Sequence, residues 1–575
     1  MPADLVIQGR IATLRGETGL GWVEALAVRD GRVVAAGTRA DVEPLVGAPT
    51  ARWQLGPEVV VTPTFCDAHL HLAAAALAAG QPDLTGLGRA ALCEAIAAQH
   101  QRRLEAGDAV GWLLGHGWSL TALGEHPDAA WLDEAAPGRP VALWAHDHHS
   151  RWLSARAVQQ AGLAARANPP AGRIERAPDG RPTGLMYEAA AGLVDEVIPF
   201  PAASDVDWAV GAYARTLATL GVTSVHDPGG LAPDPEMRGG PGIYRDMARA
   251  GRLPLRVMAS VREEQLDRAI EMGFRSGRAD GAPDAPGVPG EGQLPVTGAV
   301  DQPLGRGAGR YRDGWLKLFA DGALGSRTAA LLSAYEAGDP AGRPPGGPSG
   351  MALRTLDQLT RATQRAAEAG IASQVHAIGD AAARTVLDAL GTVALVAGAM
   401  HRVEHVQLID RDDIRRFAPL GVVASVQPYH LVSDAGSMEV AWGARCAGAF
   451  PLADLQASGA LLALGTDAPV EPPDPWRGIA AAVTRRGPGW QPGEPFHPEQ
   501  AISLDEALRA ACRGGPRSAR QGDEGHLDAG ARADLQVLPA EPFDAPASAE
   551  LLAGMRPLAT LLEGELIHAM PGFDP

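Results

Sequence analysis

Lysine is almost missing from this chain. Lysine and arginine together number 50, and a single one of them, Lys317, is lysine. A bias toward arginine, alanine, glycine and proline accounts for the missing lysines but not for the one that stays. Arginine keeps its proton in any protein setting, whereas a buried lysine can lose it. Lys317 lies in the apolar run Trp315-Leu-Lys-Leu-Phe319, where a bare ammonium is costly. The position therefore reads as one that needs a neutral amine. The alternative is a chance survivor whose stem snorkels from a strand end.

Other scarcities narrow the function classes. The four cysteines, Cys66, Cys93, Cys446 and Cys512, are scattered and form no CxxC. That excludes a disulfide framework and a thiolate zinc site. Positive charge is outnumbered, 50 basic residues against 68 acidic, for a formal net charge of -18. Such a balance argues against nucleic acid or an anionic membrane as partner. No apolar run is long enough to span a bilayer. The start, Met1-Pro-Ala-Asp-Leu-Val-Ile7, has no basic segment followed by an apolar core, so no signal peptide is expected and a cytoplasmic location is the simplest reading. What the chain does have is 46% hydrophobic and 21% charged residues over 575 positions. This is a soluble globular composition, too long for one ordinary core.

Eight strand-like segments fall at 60–71, 221–226, 253–261, 315–319, 371–376, 402–405, 421–426 and 461–467, several separated by helix-like runs such as 356–369 and 380–390. Strands alternating with helices predict an α/β fold, a (β/α)₈ TIM-type barrel occupying 61–524. The gap from 72 to about 205 exceeds any single helix and reads as a large insertion after the first barrel strand; Trp112, Trp118, Trp131, Trp144 and Trp152 fall in it. Residues 1–60 carry short β-runs with a hairpin signal at Asp30-Gly31, and similar runs recur at 533–538 and 558–562. The two ends, 1–60 and 525–575, are expected to pair into a small β-sandwich. Residues 276–310, rich in glycine and proline, read as a surface loop.

The chemistry gathers at strand ends. The first segment closes on Asp67-Ala-His-Leu-His71. Residues two apart on a strand share a face, so His69 and His71 aim at one spot, and neutral imidazoles there suit a divalent metal. A pair lining a polar surface is the plainer reading. Lys317, His376, His405 and Asp467 also sit at or near the C-terminal ends of their strands, the barrel face where active sites lie. Singly, His376 reads as a helix cap, His405 as a satisfied core histidine and Asp467 as a turn aspartate. Six such residues at one end of successive strands read as a metal site.

The blocks Trp315–Ala329, Gln374-Val-His-Ala-Ile-Gly-Asp380, Val403-Glu-His405 and Leu464-Gly-Thr-Asp-Ala-Pro469, with Asp147-His-His-Ser150 in the insertion, resemble the amidohydrolase superfamily of metal-dependent hydrolases. The details are similar to its YtcJ-like branch, amidohydrolase family 3, which includes N-substituted formamide deformylases. The resemblance implies one or two divalent ions, zinc first, with iron, manganese or nickel as alternatives. One ion would take His69, His71 and Asp467, the other His376 and His405. Carbon dioxide would carboxylate Lys317 into an anionic bridge, for which arginine cannot substitute. The implied activity is hydrolysis of an amide-type C–N bond in a small molecule, with Asp467 carrying the proton. Deamination or opening of a cyclic amide at the same site is the alternative, and a non-catalytic ligand-binding barrel a more distant one. His149, His226 and Trp118 are the candidate substrate contacts, each with a structural reading beside it. His148 stands where the branch has glycine. The expected partner is a small-molecule amide, with neither nucleic acid nor membrane; a homodimer is compatible.

Overall fold

The computed structural model describes residues 1–230, 240–279, 309–336, 346–490 and 495–575. Its centre is a sheet of eight parallel strands: β1 (Phe65–Asp67), β2 (Val222–Asp227), β3 (Arg256–Arg262), β4 (Tyr311–Phe319), β5 (Ser373–Ala377), β6 (Arg402–His405), β7 (Val423–Val426) and β8 (Leu462–Leu464). Each pairs with the next in sequence. The sheet is nearly closed. The Ala68 N–H donates to the Leu464 carbonyl at 3.0 Å, and the Asp467 N–H to the His69 carbonyl at 2.6 Å. Six of the strands are buried along their whole length, as parallel strands covered by helices must be.

The first expected strand is two. Val59–Pro63 belongs to a different sheet, antiparallel to Leu535–Pro539, and only Phe65–Asp67 enters the barrel. Proline has no N–H to give a ladder, so the chain changes sheets at Pro63-Thr64. His69 and His71 therefore lie beyond the strand end rather than on it. Asp67 Oδ1 accepts the His69 N–H at 3.1 Å and the Thr466 N–H at 3.0 Å, turning the backbone off the ladder.

Both chain ends contribute to that other sheet. Leu5–Ala12 lies within it, with Trp22–Arg29 and Arg32–Gly37 to one side and Val59–Pro63, Leu535–Pro539, Ala559–Leu562 and Glu565–Ala569 to the other. The eight strands, including Ala51–Gln54, form one connected sheet, and Ile7, Leu26, Val61, Leu535 and Leu561 are buried together on it. Between β1 and β2 lies a third sheet, of five strands from Leu113–Trp118 to Pro182–Glu188. It has its own core, where Trp152 packs edge-on against Trp118 and Trp131.

Of the stretch expected as a surface loop at 276–310, residues 280–308 lie outside the described residues. Its first residues are not a free loop. Ser276 is buried and donates through Oγ to the Gly314 carbonyl at 2.6 Å, and the Gly277 N–H donates to the Asp313 carbonyl at 2.8 Å. Among the described residues, no helix is long and apolar enough to cross a membrane.

Candidate metal centre

His69 and His71 are buried past the end of β1. The Nδ1 of His69 meets Glu404 Oε2 at 2.5 Å, and the Nδ1 of His71 meets the Gly229 carbonyl at 2.7 Å. A carboxylate and a carbonyl can only accept, so both rings carry their proton on Nδ1 and turn the Nε2 lone pair the other way. Those two lone pairs converge on Asp467 Oδ1, 3.4 Å and 3.5 Å away. Glu404 is itself held by Arg402, Nε to Oε1 at 2.9 Å, with both side chains fully buried. A carboxylate behind a histidine fixes the tautomer and raises the basicity of the nitrogen in front.

A second group meets the same aspartate from the other side. His405 closes β6, and His430 opens the helix His430–Trp442 that comes after β7. His430 Nε2 lies 3.7 Å from Asp467 Oδ2. The candidate ligand atoms of His69, His71 and Asp467, and likewise those of His405, His430 and Asp467, lie within 4.8 Å of one another. Burial pulls all four imidazoles below their ordinary range, His71 to about 3 and His430 to about 4, so they are neutral. Neutrality is what a metal requires of a histidine.

The decisive observation is what these nitrogens do not touch. His69 Nε2, His405 Nδ1 and His430 Nε2 are buried without a hydrogen-bond partner among the described residues. An unmet buried polar atom costs about 1–3 kcal/mol. Three aimed around one aspartate fit a divalent ion, and the nitrogen and carboxylate donors suit zinc among others. The backbone is strained here too: His405 has φ 73° and Asp467 φ 60°, the left-handed region that costs L-residues energy and marks functional sites. Gly465 lets β8 pass close by, since a Cβ there would sit 2.5 Å from the His69 nitrogen.

The comparisons agree with this geometry. Residues 59–568 match the model of the amidohydrolase family. The chain belongs to the amidohydrolase family. YtcJ of Bacillus subtilis (strain 168) is 29% identical over 557 residues, covering 95% of this chain and 96% of its own. The N-substituted formamide deformylase of Arthrobacter pascens is 26% identical over 589 residues, 99% of this chain and 98% of its own. A metal-dependent hydrolase of Pyrococcus horikoshii OT3 superposes with a TM-score of 0.71 at 25% identity, covering 94% of this chain and 98% of that one. A metal-dependent hydrolase is thus the class that this amidohydrolase fold and its donor set support.

The remaining expected residues divide. Lys317 is buried on β4, lines the same cavity, and places its nitrogen 4.8 Å over the Phe319 ring. Burial draws its pKa down to about 8, against the pull of Glu404 and Asp467. His376 stacks edge-on to His405 at 4.5 Å, but its Nε2 is turned to the Gly322 carbonyl at 3.1 Å, which leaves Nδ1 for any ligand; it falls in neither cluster of donors. His149 lines the cavity, with Nδ1 on Glu188 Oε2 at 2.9 Å. His226 does not line the cavity: it is buried, meets Arg402 through Nδ1 at 3.0 Å and lies tilted against the Trp315 ring, centroids 5.0 Å apart. Trp118 is likewise no pocket wall. It belongs to the core of the insertion and donates through Nε1 to the Leu143 carbonyl at 3.0 Å. His430 is the residue of the site that strand ends did not reveal, and Glu404, inside the Val403-Glu-His405 block, is the one whose role was not read there. The cavity measures about 690 Å³.

Proposed function

We propose that this chain hydrolyses the C–N bond of a small N-substituted amide, with N-substituted formamides the first class to test. The convergence of His69, His71, His405, His430 and Asp467, with three unpartnered nitrogens at the mouth of the barrel, carries the reading. A 690 Å³ cavity, the size of a small-molecule site, supports it. So does the likeness to a relative that is named a formamide deformylase.

Zinc is the ion we assign to these ligands. When bound, a divalent ion supplies Lewis acidity, which makes water nucleophilic near neutral pH and polarises a carbonyl. The chain's residues do the rest. Glu404 and the Gly229 carbonyl hold His69 and His71 with Nε2 forward. Lys317, whose pKa burial draws down, reacts with carbon dioxide as the neutral amine: an N–C bond forms, one proton leaves to solvent, and an anionic carbamate stands where the amine was. Asp467 takes the proton that the attacking water gives up and passes it to the departing amine nitrogen. His149 donates a hydrogen bond to the carbonyl oxygen. Burial lowers its pKa, but the charge and hydrogen bond of Glu188 outweigh this and hold the imidazole protonated up to about 9.

The test is metal analysis of purified protein together with release of formate from N-substituted formamides, of ammonia from amino-substituted heterocycles, and ring opening of cyclic amides to the amino acid. Formate with zinc-dependent turnover is the expected result. Ammonia alone would move the site to deamination, and full turnover by chelated, metal-free protein would end the metal-dependent reading.

A further inference from the structure

Arg262 ends β3 on the same barrel face as the histidines and lines the cavity. Its side chain packs against Gly229, where an added Cβ would meet Arg262 Cδ at 3.3 Å, and Gly229 is the residue whose carbonyl orients His71. The guanidinium lies 4.6 Å over the Phe319 ring, and its Nη1 donates to the Gly230 carbonyl at 3.0 Å. Among the described residues it forms no ion pair. The other arginine of this wall, Arg354, is taken: Nε donates to Glu263 Oε2 at 2.9 Å and Nη1 to the Phe319 carbonyl at 2.8 Å. Glu264 is exposed where it lines the cavity and acts on Arg262 by charge, with no ion pair between them.

A guanidinium cannot shed its charge, and it matches a carboxylate with two parallel N–H donors. Resting on an aromatic face, it keeps its planar edge free to bind. Its neighbours in the cavity do not compete. His149 already pairs with Glu188, and His146 pairs with Glu471 at 3.1 Å. Among the described residues, Arg262 is the arginine of this cavity without a carboxylate partner, and Lys317, the other basic side chain there without one, is given to the carbamate.

We propose that Arg262 binds a carboxylate on the substrate, so that the preferred amide is an acidic one, its carboxylate a few bonds from the bond that breaks. This rests on the amide-hydrolase reading above. The reaction stays balanced: water adds across the C–N bond, the acyl carbon gains the oxygen, the amine nitrogen gains the proton, and the carboxylate on Arg262 is unchanged.

The experiment uses the metal-loaded enzyme and two matched compounds, N-formylphenylalanine and its neutral amide N-formylphenylalaninamide, measured for both turnover and calorimetric binding. Wild type should favour the acid by about 10–100-fold, mostly in KM, the range of a charge-assisted hydrogen bond. Arg262→Gln should lose that preference and leave the neutral compound within about threefold; Arg262→Lys should restore part of it. If the glutamine variant does not fold, Arg262→Met keeps the apolar stem over Phe319 and answers the same question. An equal loss on both compounds would make Arg262 a structural support of the Gly229 loop and overturn the proposal. A preference for the acid that survives in Arg262→Gln would put the carboxylate elsewhere and overturn it too. Arg262-dependent binding of the acid without turnover of either compound would uphold the carboxylate site and sink the amide-hydrolase reading, whereas turnover of the neutral compound with no preference for the acid would do the reverse.

Discussion

Strand β3 carries an arginine at its first position and another at its last, and the two live in opposite surroundings. Arg256, at the N-terminal end, is buried among carboxylates: it pairs closely with Asp534, through Nη2 with Glu563 at 2.8 Å, and through Nε with Glu524 at 3.5 Å. Arg310 and Arg532 share the same acids, at 3.2 Å from Glu563 and from Glu524. These charges join the floor of the barrel to the C-terminal strands. Burial alone would lower the Arg256 pKa, but the carboxylates raise it above its ordinary value. Arg262, at the other end, has no such partner among the described residues. The histidines of the mouth are alike in this, with five nitrogens of His69, His148, His405 and His430 buried and unmet among the described residues. The floor joins its arginines to carboxylates, whereas the mouth, beside pairs such as His149–Glu188, keeps Arg262 and the nitrogens of the metal site for a ligand. This is the division expected of a barrel whose chemistry sits at the C-terminal ends of its strands.

If that division is right, substitutions at the mouth should cost activity and spare stability, and substitutions at the floor the reverse. The largest effect is expected at Lys317. Lys317→Arg cannot form a carbamate and puts a fixed cation beside the ligands; activity should fall to background and metal content by at least one ion, with the melting temperature unchanged or higher. Lys317→Ala should be inactive as well, with part of its activity returned by high acetate or propionate. A fully active Lys317→Arg enzyme would remove the carbamate from the mechanism. Next comes Asp467→Asn, expected to keep the fold and most of the metal while losing about 10²–10⁴-fold in kcat. Near-normal kcat would mean that another group carries the proton.

The floor supplies the counter-case. Arg256→Met takes from Asp534 its arginine partner, while Glu524 and Glu563 keep Arg532 and Arg310, and breaking a buried pair costs about 3–5 kcal/mol. Urea unfolding should show that loss while the folded enzyme retains its kcat. A variant of normal stability and poor kcat would mean that floor and mouth are coupled, and the comparison would fail.

How much of this division could be read from the sequence depended on distance along the chain. The strands and their terminal residues were legible because apolar runs and the histidines that end them are local. The His-x-His pair was found even though its backbone is a bend, since the spacing still brings both rings together, 5.6 Å apart. His430 was not legible as a strand-end residue: it comes four positions after β7, past Gln427-Pro-Tyr, on a helix. Its signal in the sequence is a histidine in the loop beyond a barrel strand, where the strand's own last residue, Val426, carries no chemistry. Glu404 was legible within its motif, but its role depends on His69, 335 residues away. Trp118 shows the opposite difficulty, because aromatic residues line pockets and fill cores alike, and only packing against Trp152 tells which. The joint at Arg256 was silent, its partner Asp534 lying 278 residues downstream.

The smallest effect is a slope with pH, and it tests whether His149 belongs to the mouth as a charged donor. Its imidazole is protonated up to about 9 in the folded chain, because Glu188 outweighs the cost of burial, whereas an unfolded histidine titrates near about 6.5. A folded pKa above the unfolded one means that the pair's contribution is fully present below about pH 6.5 and is lost as pH rises through about 9. Glu188 is held in place for this by Thr328, whose hydroxyl donates to its other oxygen. Metal-loaded wild type should therefore lose on the order of 1–3 kcal/mol of unfolding free energy between pH 7 and pH 10 that Glu188→Gln does not lose, since the variant no longer holds the imidazolium. The turnover of wild type should fall over the same window as the donor to the carbonyl disappears. Parallel slopes for wild type and Glu188→Gln would show that His149 is neutral throughout, and the hydrogen bond to the substrate would then have to come from another residue of the cavity.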